Sequence, residues 1–410
     1  MNSCQLIKEL PVFFKTSCSD IITLIYNIRF HLEKQPLRYF DRELLPHLVY
    51  SARRLASFCH ASRDNFTLIP NVTYGLNTIL KNYSAIYQEN SHVVLWDTSY
   101  GSLKKMAHEY CQQRVTEIPL TDYFDLWRSG SLESSSDIFS RALYDTLQKI
   151  KTEKGSHQFE NMLLILDHTT SNTALTMPIK ELSKLAKEMK MLVMVDGAHG
   201  ILAQDLVLNE KELPHVDFYV GNGHKWLSCP RGVGFLYCPH AYLRDSILKQ
   251  PAVISHGIGQ GFQSRFLWDG CRDYGAALSV PAVLDHWEKQ IQLDGDIIRF
   301  RNKINNRLKE ASDILCQSWH DGQDWDRSLL APFELHSSMM SLVRLPEFIQ
   351  SSPSTSTHAK MVQDFLYDNF IEVPIKCIRG VLYARISCHV YNEIHEYQRL
   401  ADKVLQFPGI

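Results

Sequence analysis

The sequence predicts an α/β protein: a large doubly wound domain with a mixed or parallel sheet, followed by a smaller α+β domain. Three observations carry that expectation. Short continuous apolar runs recur through the middle of the chain, as strands buried on both faces do. Segments with helical periodicity separate them. After Pro281 the texture changes to one long helical stretch and then isolated β-like runs.

In chain order, Phe66–Pro70 reads as a strand entering a helix through the polar turn Asn71–Asn77, and Val93–Trp96 as a second strand. Met162–Leu166 and Leu192–Val195 flank the helical segment Pro178–Lys190, whose Ile179, Leu182, Leu185, Ala186 and Met189 share one face. Pro178 stands where proline favours a first helical turn. The unit has the length of a right-handed βαβ crossover. Val216–Val220 and Gly234–Tyr237 add two strands. Residues 45–275 then form the large domain and 276–410 the small one. Residues 1–44 are an N-terminal segment that joins the small domain or covers the site mouth. A helix from Val283 to about Ala311 and β-like runs at Met340–Leu345 and Val381–Ile386 build the small domain. Ser129–Asp137 and Ser351–Thr357 read as loops. No internal repeat is visible.

Composition narrows the function. The 410 residues are 45% hydrophobic and 21% charged, a balance that supports a sizeable core. Forty-three Lys and Arg against forty-five Asp and Glu give a net charge of −2, with no basic surplus for nucleic acid or membrane surfaces. No stretch reaches the roughly 18 apolar residues of a membrane span. Ile21–Tyr26 is too short for a signal-peptide core. Ten scattered cysteines without a C-x-x-C pair argue against a zinc site or a disulfide framework and suit reduced thiols in the cytosol. The sequons at Asn65, Asn71 and Asn82 would matter only in a secreted chain.

The chemistry concentrates in MLVMVDGAHG and DFYVGNGHKWLSCPRGVGFLY, residues 191–200 and 217–237. Ligands of open α/β sheets bind beyond the carboxyl ends of the strands. Asp196 ends one apolar run and Lys225 follows another. A carboxylate and a lysine at one sheet edge suit pyridoxal phosphate: the aspartate keeps the pyridine nitrogen protonated and the lysine forms the Schiff base. Alone, such a pair would more often be a surface ion pair. Thr73, at a strand-to-helix turn, could help cradle a phosphate or merely cap the helix. Tyr100 could stack on a flat ring or be a half-buried core tyrosine. Asn222 and His224 flank the lysine and offer further donors to a phosphate, although a lone histidine is more often structural.

These motifs resemble the aspartate and lysine motifs of the class V aminotransferases, fold-type I pyridoxal-phosphate enzymes. The resemblance is strongest to the isopenicillin N epimerase-like branch, with its cysteine desulfhydrase and hercynylcysteine sulfoxide lyase types. HTTSNTALTMPI (168–179), SHGIGQGFQSRFLWDGCRDYGAALSVP (255–281) and ARISCHVYNE (384–393) follow in the family's order, so the likeness runs from about residue 35 to 400. It implies Lys225 as the Schiff-base lysine and the base at Cα. Asp196 would sit on the pyridine nitrogen, His199 near the ring hydroxyl and Tyr100 on the ring face. Thr73, Asn222 and His224 would hold the phosphate. The Gly270–Cys271 backbone would reach the phosphate of a neighbouring subunit in a homodimer. Arg385 would clamp the substrate carboxylate, and Ser171 and Asn172 would lie near the ring hydroxyl and substrate.

Several features depart from the family. Residues 1–74 contain no glycine, and PVFFKTSCSD stands where a glycine-rich segment usually shapes the substrate mouth. The usual GTRD is Gly270-Cys271-Arg272-Asp273, one hydroxyl fewer. Asn369-Phe370-Ile371-Glu372 has no thiol where desulfurases carry a nucleophilic cysteine, and Cys377 reads as a buried packing residue. The expected reaction is therefore β-elimination of a C–S bond from cysteine or a derivative. Epimerisation and transamination are the alternatives within the family, and an inactive scaffold the alternative of another class. GIGQG (257–261) lacks the spacing and context of a dinucleotide fingerprint.

Overall fold

Seven strands make one mixed sheet: β1 (Phe66–Ile69), β2 (Val93–Trp96), β3 (Val115–Ile118), β4 (Leu163–Asp167), β5 (Leu192–Gly197), β6 (Phe218–Asn222) and β7 (Gly234–Tyr237). Their order is β1-β7-β6-β5-β4-β2-β3. Strands β3, β2, β4 and β5 run parallel, and β1 pairs antiparallel with β7. The computed structural model describes residues 18–124, 137–154, 159, 161–320 and 328–409. The Ser129–Asp137 loop, apart from its last residue, and the PVFFKTS portion of the N-terminal segment lie outside the described residues.

The chain forms two compact units that interleave in sequence: residues 1–82, 206–214 and 220–297, and residues 83–205, 215–219 and 298–410. In the first, α1 (Cys18–Lys34), α2 (Leu44–Phe58), most of α3 (Val72–Tyr87) and α7 (Val280–Leu293) accompany β1 and β7. Arg54 of α2 reaches Asp285 at 2.8 Å and Glu288 at 3.2 Å on α7. Both carboxylates are more than half exposed, so these pairs are worth at most about 1 kcal/mol.

The second unit holds the βαβ crossover that the sequence predicts. Helix α6 (Ile179–Glu188) turns Ile179, Leu182 and Ala186 inward at 6%, 0% and 0% exposure, and β4 and β5 are fully buried. Register pairs Leu163 with Leu192 and, four residues on, Asp167 with Asp196. A three-stranded antiparallel sheet, β8 (Met340–Arg344), β10 (Val381–Ser387) and β9 (Ile375–Ile378), lies in the same unit with α8 (Ile297–His320), α9 (Ser356–Asp368) and α10 (Ile394–Val404). Helices α4 (Gly101–Cys111) and α5 (Asp137–Lys154) complete it.

Two expectations change. The stretch Val283–Ala311 is two helices, α7 and α8, because Gly295 takes φ +99 and ends the first. Helical periodicity on both sides conceals a three-residue break. Strand β6 lies two residues later than Val216–Val220 because Asp217 precedes it as a tether. Its carboxylate accepts from Val193 N–H at 2.7 Å and from Lys187 Nζ at 2.5 Å. The Ser351–Thr357 loop ends at Thr355, whose hydroxyl caps α9 by accepting from His358 N–H.

Candidate active site

In the first unit, helix α3 begins immediately beyond β1. Asn71 is the cap: its Oδ1 accepts from Tyr74 N–H at 2.9 Å, and its carbonyl from Gly75 N–H at 3.3 Å. The next free N–H, of Val72, donates to Asn222 Oδ1 at 3.0 Å. Thr73 is thereby relieved of capping, and its exposed hydroxyl has no partner among the described residues. The turn is clamped from beneath. A Cβ on Gly234 would lie 2.8 Å from Asn71 Cα, and one on Gly75 2.6 Å from Val220 Cγ1.

Lys225 projects from a tight turn after β6. Gly223 N–H donates to Val233 O, Cys229 N–H to Gly223 O (both 2.9 Å) and Ser228 N–H to Lys225 O (3.0 Å). Trp226 and Leu227 are buried, and Trp287 Nε1 donates to Leu227 O at 2.7 Å. Lys225 and His224 are half-buried. His224 Nδ1 lies 3.3 Å from Val233 O, and burial, then Lys225 and Arg231, push the imidazole below its ordinary pKa. Gly270 takes φ +115 and Cys271 is exposed. Arg272 beside them bonds Asp269 at 2.6 Å, its guanidinium 4.3 Å from the Tyr274 ring centre.

In the second unit, Asp196 is the penultimate residue of β5, 5% exposed, and its Oδ1 accepts from Ala198 N–H at 3.0 Å. His199 follows in a turn, 7% exposed. Beside Asp196 in register stands Asp167, whose Oδ2 accepts from Ser99 Oγ at 2.6 Å. The sequence reading did not single out Asp167 or Ser99. The available signal was an aspartate ending both LLILD and LVMVD at the same offset in neighbouring parallel strands. Tyr100, beyond Ser99, is 49% exposed at the start of α4 and is not a core tyrosine.

Gly197 and Gly200 seat Tyr219. A Cβ on Gly197 would lie 2.1 Å from Tyr219 Cε1, and one on Gly200 1.9 Å from its hydroxyl. That hydroxyl meets His168 Nδ1 at 2.7 Å. Burial above all, then Arg301, depresses His168 to about 4, and burial depresses His336 to about 3. Both are neutral when folded. Below 6.5 the unfolded chain binds protons that the folded chain refuses, so stability falls as pH drops from 6.5 towards 4. A urea midpoint that declines over that window, with a flatter slope in His168→Gln, is the expected outcome.

Arg385 lies on β10, half-buried. Its Nη1 donates to Ser171 O and approaches Ser171 Oγ at 3.4 Å, while its buried Nε has no hydrogen-bond partner. Burial lowers its pKa. A surface ion pair is therefore excluded: among the described residues no carboxylate meets it. Asn172 is half-buried in the same turn, shaped by the bond between the Thr170 and Thr173 hydroxyls at 2.6 Å. Cys377 is also not buried packing: it is half-buried and its thiol donates to Ser354 O at 3.3 Å.

The donor set fits pyridoxal phosphate. An unpartnered hydroxyl at the start of a sixteen-residue helix suits its phosphate, and a buried carboxylate closing a parallel strand suits its ring nitrogen. The seven-stranded mixed sheet is that of the fold-type I class. A family model described as aminotransferase class-V matches residues 47–248. The chain is 28% identical to a probable chloroplastic L-cysteine desulfhydrase of Arabidopsis thaliana, over 94% of this chain and 79% of that protein. It is 25% identical to the isopenicillin N epimerase of Amycolatopsis lactamdurans, over 94% and 92%. A solved complex of the cystine C–S lyase C-DES with cysteine persulfide shares the fold, with TM-score 0.68 and 17% identity over 94% of both chains. The chain is thus similar to class-V aminotransferases over residues 47–248 and to these relatives over nearly its whole length.

Proposed function

We propose that the protein is a pyridoxal-phosphate-dependent C–S lyase that eliminates the sulfur substituent from cysteine or a cysteine derivative. The observation that carries this reading is Arg385, a half-buried guanidinium oriented by Ser171, with no carboxylate partner among the described residues and a spare buried N–H. It is prepared for a carboxylate that arrives with the substrate. The desulfhydrase names among the relatives support the choice of sulfur.

When bound, pyridoxal phosphate supplies the electron sink that acidifies the substrate's Cα–H. Lys225 would hold the cofactor and would serve as the base that takes the substrate's Cα proton. The Cβ–S bond then breaks and the electron pair leaves on sulfur. Hydrolysis of the released enamine gives pyruvate and ammonia. Asp196 would pair with the pyridine nitrogen, His199 would lie by the ring hydroxyl with Asn172 near the substrate, and Tyr100 would stack on the ring. Thr73, Asn222 through its Nδ2, and His224 would hold the phosphate. A neutral His224 serves there as a donor rather than a charge.

The same reading makes the protein a cytosolic homodimer in which Gly270–Cys271 reaches the neighbouring subunit's phosphate. Tyr26, Phe30 and Leu37, 68%, 63% and 74% exposed in the first unit, are apolar surface that a second copy would cover. Purified protein given cysteine and a panel of S-substituted cysteines should release pyruvate and ammonia in equal amounts with the thiol. Failure of the whole panel would overturn the lyase reading.

A further inference from the structure

The second unit contains a cavity of about 570 Å³ with an unusual set of polar groups on its wall, among them Asp97, Thr98, Asn172, Lys360, Lys376 and Arg379. Its size falls within the roughly 300–1,000 Å³ of small-molecule sites. That is far more than the CH₂–SH side chain of free cysteine can fill.

Two of the charges already have counter-ions, and Asp97 has hydrogen bonds on one oxygen. Lys360 holds Asp364 at 2.7 Å on α9. Arg379 donates to Thr121 O at 2.7 Å and faces Asp122 at 3.8 Å. Asp97 accepts from Thr121 N–H and Oγ1 through Oδ2, and burial raises its pKa. Lys376 differs. It is half-buried on β9, opposite Tyr383 of β10, and among the described residues it meets no carboxylate. Burial and then the nearby Arg385 disfavour its charge, so the folded chain bears a cost there that no internal anion offsets. Two further groups wait beside it. Thr98 is 4% exposed with its hydroxyl unpartnered, and the Asn172 amide has no partner among the described residues. An unpaired buried polar group carries a desolvation cost that a hydrogen-bonding ligand would recover.

The cavity also adjoins the carboxylate clamp. Asn172 follows Ser171, which accepts from Arg385, and Lys376 lies close enough to Arg385 to feel its charge. We infer that this cavity is a side-chain subsite for a cysteine S-conjugate whose sulfur substituent ends in a carboxylate, bound by Lys376 and oriented by Asn172 and the Thr98 hydroxyl. The inference rests on the amino-acid reading of Arg385 given above and names the substrate class for it.

The test compares S-(2-carboxyethyl)-L-cysteine with its isosteric amide, S-(2-carbamoylethyl)-L-cysteine, on the cofactor-loaded full chain. Calorimetry reads binding and pyruvate release reads turnover. The acid should bind about tenfold or more tightly than the amide, as a charge-assisted contact would give. Lys376→Gln should bring the ratio near one and Lys376→Arg should keep it. Equal binding of acid and amide, no binding of either, or a preference that survives Lys376→Gln overturns the subsite. A preference for the acid by calorimetry without pyruvate release supports the subsite and overturns the lyase reading. Equal turnover of both compounds supports the lyase and overturns the subsite.

Discussion

Lys225→Ala is expected to abolish turnover, by roughly 10⁴-fold or more, because in the proposed mechanism one amine both carries the cofactor and moves the Cα proton. The variant should fold, since the turn that presents Lys225 is held by backbone bonds among Gly223, Ser228, Cys229 and Val233 and by Trp287 on Leu227 O, none of which uses the lysine side chain. Wild-type protein should show a yellow visible band that borohydride bleaches, marking the covalent link through Lys225 Nζ. The variant should lack a borohydride-sensitive band while keeping its circular dichroism. A wild type that stays colourless with added pyridoxal phosphate would contradict the cofactor assignment to this lysine.

Gly197→Ala should destabilise the folded chain by about 3 kcal/mol or more, at the upper end for an overpacked core. The new methyl would stand 2.1–2.3 Å from the Tyr219 ring and hydroxyl. Tyr219 cannot withdraw. It is fully buried, its hydroxyl is bonded to His168, and Gly200 closes on it from the other side. Any relief must therefore come from the end of β5, which carries Asp196. Thermal melts should show a drop of several degrees, and cofactor affinity should fall with it. Gly101→Ala is the control, because a Cβ there meets no heavy atom within 4 Å. A Gly197→Ala melt matching that control would refute the packing argument.

Legibility followed the physics of each signal. Strands buried on both faces declare themselves as apolar runs, so Val93–Trp96 and Gly234–Tyr237 have the limits that the sequence suggests. Helix α6 was legible because one face carries its apolar residues and Pro178 stands before it. Strand β3 was not: VTEI is neither fully apolar nor plainly alternating, and only its pairing with β2 makes it a strand. The capping role of Asn71 was hidden because Asn and Thr at the start of α3 are equally good candidates from sequence. Likewise, nothing in YGSL tells that Tyr100 is exposed.

The sequence by itself determined the α/β class, the family motifs and the candidates for the chemistry, because these depend on residue type, local periodicity and order along the chain. Tertiary structure alone decided the rest. It set Asp167 beside Asp196, tied Arg385 to a carbonyl rather than an acid, and left Lys376, within reach of Arg385's charge, with no carboxylate partner among the described residues. Register, burial and the absence of a partner for a charge are properties of groups far apart in sequence, and no local pattern encodes them.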